Sequence, residues 1–201
     1  MEKEIKATLE RDEKMRFLLE KHGIPQSGQI HDVYPYLVES IIYQQLSIKA
    51  AAKIFERFVQ LTGHFPDPAE LLELTPEQMR SAGISGQKAG YLHHIARHFS
   101  EDAVRSIQWD QLEDDEITRQ LTGIKGVGKW TAKMVLIFGL NRPDVFPFED
   151  LGIQIGMKKI YDIQEEGKDF TAKICNIAEA WRPYRSAGSR LIWAHKDAKT
   201  E

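Results

Sequence analysis

The sequence predicts an all-α fold, and two observations lead to this expectation. Apolar residues recur at helical spacing along most of the 201 residues, whereas the alternation of apolar and polar residues that marks a strand is scarce. Prolines such as Pro66, Pro143 and Pro183 lie between these periodic runs, as expected of loops that separate helices. We expect about ten helices.

Each predicted helix has its own signal. Apolar residues over 38–61 follow the spacing of a core-facing helical stripe. The segment Thr75–Gln78 has the form of a helix start, with a hydroxyl N-cap, a proline in the first turn and a glutamine three residues after the cap. Further helical patterns cover residues 87–99, 109–121, 129–140, 171–181 and 186–196.

Composition and charge exclude several classes of protein. Hydrophobic residues make up 42% and charged residues 28%, which is typical of a globular chain. No apolar run is long enough to span a bilayer, and the charged start MEKEIKATLERDEK lacks the apolar core of a signal peptide. We therefore expect an intracellular protein that is neither secreted nor bound to a membrane.

The single cysteine, Cys175, excludes an internal disulfide, a four-cysteine zinc site and a cysteine-bound iron–sulfur cluster. His93, His94 and His98 have no cysteine or acidic partner at a spacing that suits zinc, so surface or core positions are expected for them. The net charge is −3, so any binding of nucleic acid must depend on a local basic patch.

Such a patch is predicted at residues 121–133, LTGIKGVGKWTAK, where three glycines separate two predicted helices. Glycine lets the backbone turn through positive φ. The spacing also leaves backbone N–H groups bare at the start of the next helix, where the helix dipole favours an anion. The pattern therefore predicts a grip on DNA phosphates that does not depend on base sequence. The expected phosphate-binding residues are Lys125, Gly126, Gly128, Lys129 and Thr131.

A glycine-rich turn with lysines has two other interpretations. A mononucleotide-binding P-loop needs Gly-Lys-[Ser/Thr] after a strand, whereas here Lys129 is followed by Trp130 and preceded by a helix. That interpretation fails. A plain turn between two helices, with lysines on its surface, remains open on the spacing alone.

The wider sequence resembles the helix-hairpin-helix (HhH-GPD) DNA glycosylase superfamily. Its members carry the pattern L-x-G-[IV]-G-x-x-T-A and then a Pro/Gly-rich loop ending in aspartate, which here match Leu121–Ala132 and RPDVFPFEDLG. Family-like motifs also occur at Tyr43–Ser47, Gly83–Leu92 and Trp181–Ser186. The resemblance implies one glycosylase domain over 1–201, built as two helical lobes with the active-site cleft between them. The helix-hairpin-helix is expected at about 109–140 and the catalytic loop at about 141–152.

Two departures from the superfamily pattern indicate the branch. Bifunctional members place a lysine nucleophile immediately before the Thr-Ala pair, and this chain has Trp130 there. The iron–sulfur cysteines of other branches are also missing. The chain is thus similar to the type II 3-methyladenine DNA glycosylases in a compact form, without the N-terminal α/β lobe of larger bacterial members.

The resemblance places Asp150 in the family's catalytic position. N3- and N7-alkylated purines already carry positive charge, so the base leaves readily. The enzyme must stabilise an oxocarbenium-like sugar and direct a water molecule to it, and one carboxylate can do both. The implied activity is hydrolytic removal of alkylated purines without strand cleavage. On local sequence alone, the N-cap of a helix that begins at residue 151 is the favoured role for Asp150, and the resemblance shifts the balance to catalysis.

The resemblance also implies a base pocket. Trp130 and Trp193 are expected to stack on the extruded cationic base. Met134 and Leu151 occupy positions where larger relatives carry tyrosine, so the pocket should be less aromatic. Packing in the core is the alternative for any tryptophan, and we expect it for Trp181.

The resemblance also implies a wedge that fills the gap left by the flipped nucleotide. Gln45 and Leu46 match the family's wedge, and Ser47 would lie in the minor groove. The alternative is that Gln44 and Gln45 cap or cross-link helices.

The implied cofactors and partners are few. The family's hairpin commonly holds Na⁺ or K⁺, here through the backbone carbonyls of Thr122, Ile124 and Val127, and no other cofactor, zinc or iron–sulfur cluster is expected. The partner is double-stranded DNA that contains alkylated bases. We expect a monomer that is cytoplasmic and nucleoid-associated, or nuclear in a eukaryote. A non-catalytic helix-hairpin-helix DNA-binding module and a bifunctional glycosylase/lyase are the alternative functions.

Overall fold

The computed structural model describes residues 1–26 and 32–198. Within these ranges the regular secondary structure is helical and no strand is present, which confirms the predicted all-α class. The α-helices in chain order are α1 (Glu2–Leu9), α2 (Glu13–His22), α3 (Val33–Tyr43), α4 (Ile48–Gln60), α5 (Pro68–Glu73), α6 (Pro76–Ser81), α7 (Gly86–Ser100), α8 (Asp102–Arg105), α9 (Asp114–Thr122), α10 (Lys129–Met134), α11 (Leu151–Ile160), α12 (Gly167–Glu179) and α13 (Arg185–Asp197). A 3-10 turn, Trp109–Gln111, precedes α9, and a π-helical segment, Val135–Gly139, follows α10.

The helix start predicted at Thr75 is confirmed. The Thr75 hydroxyl accepts a hydrogen bond from the Gln78 backbone N–H at 3.2 Å, and the Gln78 side chain accepts one from the Thr75 N–H at 2.8 Å. Pro76 is the first residue of α6. This reciprocal capping box satisfies two backbone donors that a helix start would otherwise leave without partners.

The apolar stripe over residues 38–61 does not form one continuous helix. It is divided between α3 and α4 by a four-residue turn, in which Gln45 has a left-handed φ of 58°. Leu46, which the stripe placed in the core, is 41% exposed, and Ile48 is 81% exposed. The apolar spacing therefore continued across a turn that periodicity alone does not detect.

The chain divides into two compact units. The terminal unit joins the segment up to Gln29 to the segment that begins at Leu136, and the central unit runs from Ile30 to Val135. Fully buried residues of the terminal unit include Leu9, Met15, Leu18, Ile153 and Trp181. Those of the central unit include Leu37, Ile41, Phe58, Leu71 and Leu92. Among the described residues, none of the helices combines the length and apolarity needed to cross a bilayer.

Candidate functional site

Asp150 lies at the start of α11 in the terminal unit and is half-buried. Its Oδ1 accepts a hydrogen bond from the Ile153 backbone N–H at 2.9 Å. The same Oδ1 accepts a second hydrogen bond from the indole Nε1–H of Trp193 at 2.8 Å. The N-cap interpretation is therefore correct. It is compatible with catalysis, because the cap fixes the carboxylate on a rigid helix end where the helix dipole favours negative charge.

A glycine makes this approach of the indole possible. A Cβ at Gly152 would lie 3.0 Å from the Asp150 Oδ1 and 3.1 Å from the Trp193 indole nitrogen. One turn further along α11, a Cβ at Gly156 would lie 2.4 Å from the Ile192 side chain. The two glycines therefore let α11 pack closely against α13 and bring Trp193 to the carboxylate.

Trp193 packs against Phe138, and Phe138 is in turn covered by a cationic side chain. Its ring packs on Phe138, with centroids 5.4 Å apart and an interplanar angle of 32°. The Arg190 guanidinium lies 4.7 Å from the centroid of Phe138. Arg190 also donates to the Ile137 carbonyl at 2.7 Å and to the Asn141 side chain at 3.3 Å. Sequence analysis did not predict these contacts, because Phe138 and Arg190 lie far apart in the sequence and meet only in the folded chain.

The loop before Asp150 is anchored to the start of α13. The hydroxyl of the buried Ser186 donates to the Arg142 carbonyl at 2.6 Å and accepts from the Val145 N–H at 3.0 Å. The Arg185 guanidinium binds the Asp144 carboxylate at 2.7 Å. Ser186 and Arg185 therefore hold this loop against the start of α13.

The glycine-rich turn of the central unit connects α9 to α10. Of its three glycines only Gly126 has a positive φ, at 102°, whereas Gly123 has a φ of −68° and Gly128 one of −93°. A Cβ at Gly126 would lie 2.3 Å from the Tyr91 ring, so this position needs glycine for two reasons. The prediction that the turn runs through positive φ is confirmed at that single position.

Gly128 is the N-cap of α10 and makes no side-chain cap. A Cβ there would meet nothing within 4 Å, so the start of α10 is open to an approaching group. Lys125 and Lys129 are exposed beside it, whereas the side chain of Thr131 is 3% exposed. Of the carbonyls predicted to hold a monovalent cation, that of Ile124 accepts a hydrogen bond from the Val127 N–H at 3.0 Å.

The predicted pocket residues differ in exposure. Trp130 is 39% exposed, which excludes core packing for it, and Leu151 is 68% exposed directly after Asp150. Met134 is buried, at 6% exposed. Trp181 has no exposed surface, as expected of a core tryptophan.

The predicted wedge residues occupy the turn between α3 and α4. Gln45 and Leu46 are exposed at this turn, and Ser47 is the N-cap of α4, with its hydroxyl accepting from the Ala50 N–H at 3.3 Å. The cross-linking alternative applies to Gln44, whose side-chain amide donates to the Thr131 hydroxyl at 3.4 Å.

Two histidines of α7, His93 and His98, contact or lie within the folded chain. The His93 ring nitrogen lies 2.9 Å from the Leu74 carbonyl, and burial lowers the pKa of His98. Within residues 1–26 and 32–198, no group of three or more His, Cys, Asp or Glu side chains has an arrangement that could hold a metal ion.

The helical fold and the glycine-rich hairpin are those of a helix-hairpin-helix DNA repair protein. The model of the HhH-GPD superfamily of base excision DNA repair proteins matches residues 38–182, and the chain belongs to this family. Its relatives narrow the branch. DNA-3-methyladenine glycosylase 1 of Schizosaccharomyces pombe is 35% identical over 172 residues, which cover 84% of this chain and 74% of that protein. The Bacillus subtilis protein YfjP is 30% identical over 184 residues; the match covers 88% of this chain but only 63% of that relative.

Solved structures agree with this assignment. The S. pombe 3-methyladenine DNA glycosylase Mag1, in complex with abasic DNA, matches with a TM-score of 0.84 and 29% identity, covering 98% of this chain and all of the other. A DNA-3-methyladenine glycosidase from Bacillus halodurans matches with a TM-score of 0.82 and 32% identity, over 97% of this chain and 89% of that one. The predicted resemblance to the 3-methyladenine branch of the superfamily is confirmed.

Proposed function

We propose that this chain is a monofunctional DNA glycosylase of base excision repair, which flips alkylated purines out of double-stranded DNA and removes them by hydrolysis. The observation that carries the proposal is the Asp150 carboxylate, held at the start of α11 by its own cap and by the Trp193 indole. The motif resemblance supports the proposal by matching Asp150 to the family's catalytic aspartate, and so do the names of the matched relatives, which are DNA-3-methyladenine glycosylases.

Removal of an alkylated purine needs little help from a general acid. An N3- or N7-alkylated purine is cationic, so it departs as a neutral base when the glycosidic C1′–N9 bond breaks and its electron pair moves to the ring. The positive charge passes to the sugar, where the Asp150 carboxylate stabilises it. A water molecule then attacks C1′ and gives its proton to the same carboxylate, which releases it to solvent. The products are the free base and an abasic site.

The base pocket is proposed to contain Trp130, Met134, Leu151 and Trp193. A cationic base is attracted to the face of an indole by about 0.5 to 2 kcal/mol, which a neutral purine does not gain. Trp130, which is 39% exposed, is proposed to take part in such stacking. Selectivity for alkylated bases would then come from their charge together with their weakened glycosidic bond.

The central unit is proposed to hold the duplex. Lys125 and Lys129, with the backbone N–H groups at Gly126 and Gly128, would bind phosphates at the open start of α10. Thr131 has a buried side chain, so any contribution from it would come through its backbone N–H. Gln45, Leu46 and Ser47 would enter the minor groove and offset an unstacking cost of a few kcal/mol.

No catalytic cofactor is required by this chemistry. A Na⁺ or K⁺ ion on the backbone carbonyls of Thr122, Ile124 and Val127 would only stiffen the hairpin. We expect the protein to act as a monomer on DNA in the nucleoid or the nucleus.

The deciding experiment uses duplex DNA with a single 3-methyladenine or 7-methylguanine, assayed separately for base release and strand nicking. The proposal expects base release with intact strands until alkali is added. Binding without release would indicate a DNA-binding module instead. A covalent complex trapped by borohydride would indicate a lyase, which the tryptophan at position 130 argues against.

A further inference from the structure

The turn between α3 and α4 holds a residue in an unfavourable conformation. Gln45 has a φ of 58°, in the left-handed region that side chains with a Cβ seldom adopt. Such a conformation costs free energy and persists only where neighbouring groups stabilise it. The same turn presents the proposed wedge residues Gln45 and Leu46 on the surface.

A lysine from another helix stabilises this turn. The Lys88 ammonium of α7 donates a hydrogen bond to the Ile42 carbonyl at 2.8 Å and a second to the Gln44 carbonyl at 2.7 Å. Ile42 lies in the last turn of α3 and Gln44 is its C-cap, so these carbonyls lie where a helix lacks its own donors. A cation at this end also complements the helix dipole.

The surroundings of Lys88 favour an internal role. The side chain is partly buried, and this burial lowers the pKa of its ammonium. Both of its hydrogen bonds go to backbone carbonyls within two residues of each other, on the N-terminal side of Gln45. A lysine that served as a phosphate contact would extend its ammonium into solvent instead, as the exposed Lys125 and Lys129 do.

We propose that Lys88 is a positioning residue for the DNA wedge: its ammonium caps α3 and thereby holds Gln45 in the left-handed conformation that presents Gln45 and Leu46 to the duplex. This inference rests on the proposed glycosylase function for its effect on catalysis. Its structural part, the control of the turn, stands independently of that function.

The first test needs no enzymatic activity. In Lys88→Met, which keeps the length of the side chain without its charge, we expect the backbone chemical shifts of residue 45 in the free protein to move away from left-handed values. In Lys88→Met combined with Gln45→Gly the turn should stay left-handed, because glycine adopts positive φ without strain. Left-handed shifts in Lys88→Met alone would overturn the proposal.

The second test measures single-turnover base release from alkylated duplex DNA at saturating protein. Lys88→Met should lower this rate by about 10- to 100-fold, as small displacements of positioning groups do, while affinity for undamaged DNA stays within about twofold of the wild type. In the Gln45→Gly background the same substitution should cost much less, since the turn no longer needs the ammonium. Lys3→Met, on an exposed residue of α1, is the charge-matched control and should match the wild type.

The outcomes separate the hypotheses. Equal losses from Lys88→Met in both backgrounds would mean general destabilisation, and a weaker salt dependence of DNA binding would mean a phosphate contact; either result overturns the positioning role. A wild-type protein that releases no base would refute the glycosylase function, and the chemical shifts would still decide the role of Lys88.

Discussion

Two aspartates of the terminal unit share a local design and differ in what surrounds them. Asp12 is the N-cap of α2 and Asp150 the N-cap of α11, and each accepts a hydrogen bond from a tryptophan indole. At Asp12 the duties are divided: Oδ1 caps the helix, and Oδ2 accepts from the Tyr161 hydroxyl at 2.6 Å and from Trp181 at 3.1 Å. At Asp150 the cap and the indole converge on the same oxygen, Oδ1.

The surroundings of the two carboxylates differ in how deeply their partners are buried. Trp181 has no exposed surface, and burial raises the pKa of the Tyr161 hydroxyl, so Asp12 joins α2 to the core. Trp193 is only half-buried, and Leu151 beside Asp150 is 68% exposed. The same kind of cap therefore joins a helix to the core at Asp12, whereas at Asp150 it lies at a partly exposed position, as the proposed catalytic role requires.

The largest expected effect comes from Asp150→Asn. Asparagine remains a good N-cap and still offers an oxygen to Trp193, so the melting temperature should stay near that of the wild type. Base release should fall by about 10²- to 10⁴-fold, because the charge that stabilises the sugar and activates water is lost. Single-turnover base release measures the loss, and affinity for abasic-site DNA should be largely retained. Excision at the wild-type rate would refute the assignment of Asp150.

The matched substitution Asp12→Asn should have the opposite profile. If its oxygen keeps capping α2, its amide N–H groups face the indole N–H of Trp181, which places donor against donor. We expect the free energy of unfolding to fall by about 1 to 3 kcal/mol. Chemical denaturation measures this change, and base release at a temperature where the variant stays folded should be within about twofold of the wild type. If Asp12→Asn lost excision without losing stability, the assignment of a purely structural role to Asp12 would be wrong.

Trp193→Phe separates the indole N–H from the aromatic face. The smaller ring can still pack on Phe138, but the donor to the Asp150 Oδ1 is gone. We expect base release to fall by about tenfold, equivalent to about 1.4 kcal/mol, with little change in affinity for undamaged DNA. If excision were unchanged, the hydrogen bond would have no part in positioning Asp150, and Trp193 would act only as a stacking surface.

Tyr161→Phe should have the smallest effect. It removes one of the two donors to the Asp12 Oδ2 and leaves the Trp181 indole in place. The free energy of unfolding should fall by about 1 kcal/mol in chemical denaturation, with base release as in the wild type. A loss of activity here would show that Asp12 also influences the reaction.

Local sequence signals predicted much of this fold. The capping box at Thr75, the core position of Trp181 and the cap at Asp150 each depend on residues close in sequence or on size and polarity alone. The family motifs are also short contiguous stretches of sequence, so they located the glycine-rich turn and the candidate aspartate. The roles of the remaining site residues in DNA binding stay predictions.

Features that depend on distant partners were not predictable. The break in the stripe over residues 38–61 is stabilised by Lys88, which lies more than forty residues further along the chain. The packing of Arg190 on Phe138 likewise joins residues that no periodicity relates. Two of the three glycines in the hairpin have ordinary φ values, because only Gly126 must turn beneath the Tyr91 ring.

Position 152 leaves little space for any residue larger than glycine. A methyl group there would require the indole or the carboxylate to move by a few tenths of an ångström. Alanine at this position would therefore act on the proposed catalytic carboxylate only through the geometry of its hydrogen bond to Trp193, with every proposed site residue still present in the sequence.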